Sequence, residues 1–306
     1  MSAFVMPGAP DPMADTTVDP GPPFYNGTWP SADCTMIDPG HTAWLLASTA
    51  LVLLLTPGLA FFYGGLVHKK SVLTIMMQCL LSMGIISLLW ALVGFSLSFG
   101  ESGGGFLGSP SSYCLFTNLD PCTPLGYPMQ NDFNAPTIPG LLFAVFQMQF
   151  AVVTPAIITG AFAERVRFPA YLLFISLWHI AVYCPIAHWV WSPAGFLKQW
   201  GVLDYAGGLV VQTSSGFSAL ASLFVVGSRR YPTHEDRERL QVPHNRAYVN
   251  LGAGLLWFGW YGFVGGSSMG STGQAAFAVT NATLCAAAAM VAWTALEWAR
   301  RGVPTS

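Results

Sequence analysis

Between His41 and Trp298 the chain alternates long apolar runs with short polar gaps. The runs fall at 42–66, 72–99, 137–163, 169–192, 206–228, 247–265 and 273–298. Each is close to or above the roughly 20 residues that an α-helix needs to cross a hydrocarbon layer about 30 Å thick. The pattern therefore predicts about seven transmembrane helices and an all-α polytopic membrane protein. Pro57, Pro155 and Pro185 lie inside the first, third and fourth runs and are expected to interrupt them. Such breaks survive in a packed bundle, where neighbouring helices satisfy the freed carbonyls.

The fifth run carries a distinctive stretch, DYAGGLVVQTSSGFSALA from Asp204 to Ala221. Asp204 is placed to cap a helix that starts there, because its carboxylate accepts the unpaired N–H groups of a first turn. Gly208, Gln212, Gly216 and Leu220 recur every fourth residue, with Ser215 and Ala219 on the same side. Small-xxx-small faces of this kind let a second membrane helix approach closely. Gln212 follows Asp204 by eight residues, which at about 1.5 Å per residue sets it roughly 12 Å deep, near the midplane. A polar side chain there faces a bundle interior or a pathway.

Composition strengthens this picture. The chain is 53% hydrophobic and 8% charged, against about 25% charged in soluble domains. A net charge of −2 with no basic patch excludes a nucleic-acid partner on electrostatic grounds. Eleven of the twelve Lys and Arg residues occupy alternate gaps, leaving Lys198 on the other side. The positive-inside rule then predicts an external N-terminus and a cytoplasmic C-terminus, in agreement with an odd number of spans. Residues 1–40, rich in Pro, Gly and Asp, read as a disordered external tail with the sequon Asn26-Gly27-Thr28, and residues 41–306 as the membrane domain. Cys79, Cys184 and Cys285 fall in apolar runs, whereas Cys34, Cys114 and Cys122 lie in polar segments expected outside. Cys114 can pair with Cys122, or Cys34 with either, and the spacing does not choose.

Several motif matches carry no chemistry in this setting. Gly266-Ser267-Ser268-Met269-Gly270 fits G-x-S-x-G but follows a membrane span rather than a strand. Gly103-Gly104-Gly105 lacks the Gly-Lys-Ser/Thr ending of a phosphate loop. His179 and His188 are nine residues apart, about 180° around a regular helix, so they are not expected to share a metal. No catalytic constellation remains, which argues against an enzyme, and no cofactor is implied. The aromatic positions say more. Phe146 and Phe150 are one turn apart on the third span, Trp191 ends the fourth, and Trp260 and Phe263 end the sixth with Ser267 just beyond. The plain reading is an interfacial belt with core filling. The sharper one is a cation-receiving vestibule of aromatic faces and a hydroxyl acceptor, leading to a phenyl gate.

Six blocks turn the balance: FFYGGL at Phe61–Leu66, AFAERVRF at Ala161–Phe168, PIAHWVW at Pro185–Trp191, LDYAGG at Leu203–Gly208, WFGWYGF at Trp257–Phe263 and EWARRG at Glu297–Gly302. In this order and spacing the sequence resembles the ammonium transporter family, the Amt/Mep branch of the Amt/Mep/Rh superfamily. The resemblance implies an inverted-repeat bundle of eleven transmembrane helices in the plasma membrane, trimeric, with one pore per subunit, of which this chain carries about seven. It implies that Trp191, Phe146 and Ser267 recruit ammonium at the outer face, that Phe150 and Phe263 form a stacked gate, and that Trp260 lines the pore below. By the same resemblance Asp204 supports the recruiting site from behind, Gln147 accompanies Phe146, and Gln212 lines the pore where the family usually has a histidine.

The resemblance thus implies uptake of ammonium, of ammonia after deprotonation, or of methylammonium, by an incomplete sequence in contact with membrane lipid. The alternative is a truncated, non-transporting relative acting as an ammonium sensor or a trimer-modulating subunit. A non-functional product is the third reading. Gln212 does not ionise near neutral pH, so coupling of transport to protons is expected to be weak or lost.

Overall fold

The computed structural model describes residues 34–303 apart from 35, 103, 120, 123–124, 126–136 and 230–241; the tail 1–33 and its Asn26 sequon lie outside the described residues, as do Arg230, Arg237 and Arg239. All regular elements among the described residues are helical. They are α1 (Pro39–Leu66), α2 (Val72–Leu89), α3 (Phe95–Phe99), α4 (Gly140–Phe162), α5 (Phe168–Trp178), α6 (Cys184–Trp191), α7 (Phe196–Gln199), α8 (Ser214–Val226), α9 (Arg246–Gly266) and α10 (Gly273–Arg301). Six helices, some of them composite, are long and apolar enough to cross a membrane, and α9 (21 residues) is a seventh helix of spanning length. The chain is a multi-pass integral membrane protein.

Three wide π turns shape these spans. Trp90–Gly94 joins α2 to α3, His179–Tyr183 joins α5 to α6, and Gly208–Thr213 leads into α8. Irregularity sits there rather than at two of the prolines: α1 and α4 run unbroken through Pro57 and Pro155. Each proline removes one intrahelical bond, and the tightly packed ladder on either side holds the helix together. Pro185 is the second residue of α6, directly after the second π turn, so in the fourth span the irregularity does lie beside the proline.

Helix α1 begins where Asp38 accepts the His41 N–H at 2.8 Å, with Pro39 in the first turn. It lies antiparallel along α9, and glycines set the distance. A methyl group at Gly252 would stand 2.3 Å from the Phe62 nitrogen, and one at Gly262 2.6 Å from the Ser48 carbonyl. This is the small-residue packing that membrane helices use for close contact. Helix α4 is the central post: most of its residues are buried, including Phe146, Gln147, Gln149 and Phe150. By contrast, α10 is exposed along nearly its whole length, with Ala275 its one buried residue.

The stretch from Asp204 to Ala221 is not one regular helix. Asp204 precedes the helical segment, Gly207 turns the chain at φ 90°, and the π turn comes next. Any Cβ at Gly207 would meet the Val211 side chain at 2.7 Å, so glycine is required twice over, by conformation and by space. Gly208, Gln212, Gly216 and Leu220 are all exposed, whereas Ser215, expected on the same side, is buried. Among the described residues, Cys34 is bonded to Cys122 and Cys114 is free and exposed, which settles the pairing that spacing left open.

Candidate functional site

Five aromatic rings from three spans form a continuous column. Phe150 of α4 stacks on Phe263 of α9, centroids 4.4 Å apart and planes 30° off parallel. Trp260, one turn earlier on α9, stacks on the other side of Phe263 at 4.3 Å and 10°. Trp191, the last residue of α6, meets Phe150 edge-on at 6.0 Å and 88°. Phe146 touches Phe150 edge-on at 5.0 Å. Phe146, Phe150 and Phe263 are all but inaccessible, at 0%, 1% and 2% exposure, so the middle of the column is shut. Offset and edge-to-face arrangements are those aromatic quadrupoles favour, worth about 0.5–1.5 kcal/mol per pair beyond burial.

Trp191 is held from behind. Its indole N–H donates to the main-chain carbonyl of Asp204 at 3.1 Å. The Asp204 carboxylate in turn accepts four backbone N–H groups: Gly207 and Gly208 on one oxygen at 2.7 Å, Leu209 and Val210 on the other at 2.9 Å. Those four donors open the π turn, where they have no intrahelical partner. The cap foreseen for Asp204 is therefore a complete cradle, and it fixes where the Trp191 ring can sit. Tyr205 adds a second tie, its hydroxyl donating to the Val264 carbonyl of α9 at 2.8 Å.

Ser267 follows Phe263 by one turn. Its hydroxyl donates to the Phe263 carbonyl at 2.7 Å, which leaves the oxygen lone pairs able to accept a hydrogen bond. The preceding Gly266 lets the segment come close: a Cβ there would lie 2.7 Å from both the Phe146 ring and Ser48 Cβ. Phe146, Phe150, Trp191, Trp260, Phe263 and Ser267 thus belong to one assembly. Gln147 is buried just behind, at 4% exposure, with its Oε1 unpartnered among the described residues. Gln212 stands apart, exposed on the open face of the π turn, its backbone N–H bonded to the Gly207 carbonyl at 2.9 Å.

The sequence pattern also misses a feature beside this column. His179 and His188 do not point to opposite sides. His179 Nε2 fills the space a Cβ on Gly94 would take, at 2.6 Å, and His188 Nδ1 lies 3.1 Å from the Ser98 carbonyl. Gly94 and Ser98 are four residues apart on the second span, so both imidazoles face the same neighbour. The π turn explains it: one extra residue within the helix rotates the downstream side chains by about 100°.

The chain is similar to known proteins over most of its length. Residues 43–306 match the profile of the Ammonium Transporter Family. The chain is 43% identical over 286 residues to an ammonium transporter of Mycobacterium tuberculosis, covering 88% of this chain and 58% of that protein. It is 42% identical over 266 residues to an ammonium transporter of Bacillus subtilis, covering 87% and 62%. The crystal structure of Saccharomyces cerevisiae Mep2 superposes with a TM-score of 0.77 at 33% identity, over 90% of this chain and 61% of that one. The chain therefore spans about three fifths of the length of these relatives. Sequence and fold together place the chain in the ammonium transporter family.

Proposed function

We propose that the column is the gate of a conduction path for ammonium, taken up from outside the cell and passed as ammonia. The observation that carries this reading is the Phe150–Phe263 stack, closed between the Trp191 and Trp260 indoles. In this reading Trp191, Phe146 and Ser267 receive the cation, Phe150 and Phe263 form the gate, and Trp260 lines the path beneath it. Asp204 positions Trp191, and Gln147 supports Phe146. Gln212 lines the route beyond the gate. The chain works as a trimer in the plasma membrane with the Trp191 end outward, and methylammonium is an accepted analogue.

Magnitudes favour loss of the proton to external water at the receiving end, before the gate. The idealised cost of carrying a small ion into low dielectric is on the order of 20 kcal/mol, with several kcal/mol remaining after relaxation. Aromatic faces return about 0.5–2 kcal/mol each. Neutral ammonia avoids most of that deficit. Gln212 offers donors and an acceptor but no titrating group, so a proton has no relay at that position. The test is uptake of isotopic ammonium by yeast stripped of its own permeases. Growth on low ammonium with the wild-type protein, abolished by Phe263→Trp, is the expected result. A correctly delivered protein that gives no rescue would reject the reading.

A further inference from the structure

The second and fourth spans meet along a polar seam that the aromatic column does not use. From the fourth span come His179, Tyr183, Cys184 and His188, and from the second Trp90, Gly94 and Ser98. All of these residues are buried. The seam is built rather than accidental. His179 stacks on Tyr183 at 5.6 Å and 17°, with Trp90 at 5.9 Å from one ring and 6.1 Å from the other. Cys184 Sγ lies 3.6 Å from His179 Nε2, and Gly94 has no side chain where that nitrogen sits. The Trp90 indole is itself satisfied, donating to the Ala144 carbonyl at 3.0 Å.

Four polar atoms on this seam lack a well-formed hydrogen bond: Ser98 Oγ beside the Cys184 thiol, Tyr183 Oη beside the Thr154 hydroxyl, His179 Nδ1 and His188 Nε2. Leaving a buried polar atom unpaired costs about 1–3 kcal/mol. Four of them on one seam would forfeit a large share of a domain's net stability of about 5–15 kcal/mol. Two imidazoles, a phenol and a hydroxyl offer donors and acceptors in every combination, and the fixed charge that reaches them, the Asp204 carboxylate acting on Tyr183, is already held by four backbone N–H groups. An ion would find no free countercharge there, and an apolar molecule would leave the four atoms without well-formed bonds.

We propose that this seam is a binding site for neutral molecules of one heavy atom that both donate and accept hydrogen bonds, with Ser98, His179, Tyr183 and His188 as its shell. Water has this chemistry, and so does ammonia. The bound molecules tie the two π turns together, and through the fourth span they set the position of Trp191 three residues after His188. The site stands whatever the aromatic column conducts.

Water-edited solid-state NMR on the full-length protein in liposomes, with 15N-labelled histidine and tryptophan, tests this. Polarisation from water is expected to reach the His179 and His188 rings nearly as fast as the exposed His68, and much faster than the dry, bonded indole of Trp90. Build-up at both rings as slow as at Trp90 would overturn the site. Adding 15N-ammonium to protein carrying 13C-histidine separates the two occupants. A 15N–13C transfer to these rings identifies ammonia, and its absence alongside fast build-up identifies water. Tyr183→Phe removes one partner and is expected to slow the build-up at His179 more than at His188.

Discussion

The Trp191 indole N–H and the Asp204 carbonyl oxygen are joined at 3.1 Å, and the same aspartate accepts four backbone N–H groups through its carboxylate. One residue thus closes the start of a π turn and aims the aromatic ring at the head of the column. Asp204→Asn replaces one acceptor oxygen by an NH2 group facing two N–H donors. Each donor left unpaired costs about 1–3 kcal/mol, so the variant is expected to melt at lower temperature in detergent and to lose uptake. Asp204→Glu, with the charge kept but the reach changed, is expected to recover part of the stability. A melting temperature unchanged in Asp204→Asn would show that the cradle is not what holds this segment.

Phe263 sits between Phe150 and Trp260, stacked on both. Phe263→Ala deletes both stacks and leaves a cavity, a change that costs about 3–5 kcal/mol in well-packed cores. Lower thermal stability together with a faster, less selective leak of methylammonium is expected in stopped-flow assays. Phe263→Leu, closer in volume, is expected to stay within about 1.5 kcal/mol of wild type.

Gln212 lies on the exposed face of its π turn and lacks a titrating group. Gln212→His introduces an imidazole that titrates near neutrality. Ammonium-evoked current on solid-supported membranes is expected to rise and to become dependent on pH between about 6 and 8. A current unaltered by the change would reject the assignment of Gln212 to the conduction route.

The Cys34–Cys122 bond joins residues 88 positions apart, and Cys114 is free and exposed. In intact, unreduced protein a membrane-impermeant maleimide is expected to label Cys114 alone among the three. After reduction, Cys34 and Cys122 should label as well. Cys34→Ser is expected to destabilise by about 2–5 kcal/mol, whereas Cys114→Ser should be close to neutral. Labelling of Cys34 before reduction would contradict the pairing.

Gly266 has a Phe146 ring carbon and Ser48 Cβ at 2.7 Å from any added methyl. Gly266→Ala must push Phe146 or the α1 backbone aside, an overpacking that costs about 1–3 kcal/mol. Its expected signature is a raised KM for methylammonium with a smaller change in maximal rate, since Ser267 and Phe146 shift at the receiving end. A proportional loss in both would place the damage in folding instead.

The spans were legible in the sequence because twenty apolar residues in a row have few other destinations. Trp191, Trp260 and Phe263 stand out at span ends inside the motif blocks, and Phe146 and Phe150 only by their one-turn spacing. Three things were not legible. Prolines 57 and 155 suggested breaks that α1 and α4 do not make, because propensity yields to packing on all sides. The π turns left no mark in the hydrophobic pattern, since an i→i+5 turn is imposed by neighbouring spans rather than by local composition. That omission alone misdirected the reading of His179 and His188. The disulfide depends on distance in space, which six cysteines along a line do not encode.

The widened turn at His179–Tyr183 also bears on how such chains diverge. Excising a single codon there would leave hydropathy and span length almost untouched. The wide turn holds one residue more than an α turn, so a regular helix through the shortened point would leave the terminal indole facing its phenyl neighbour, whereas a codon lost from a regular turn would swing it by about 100°. A lone gap at this point in an alignment of relatives therefore marks a turn tightened in place, whereas a gap elsewhere in the span marks a re-aimed ring.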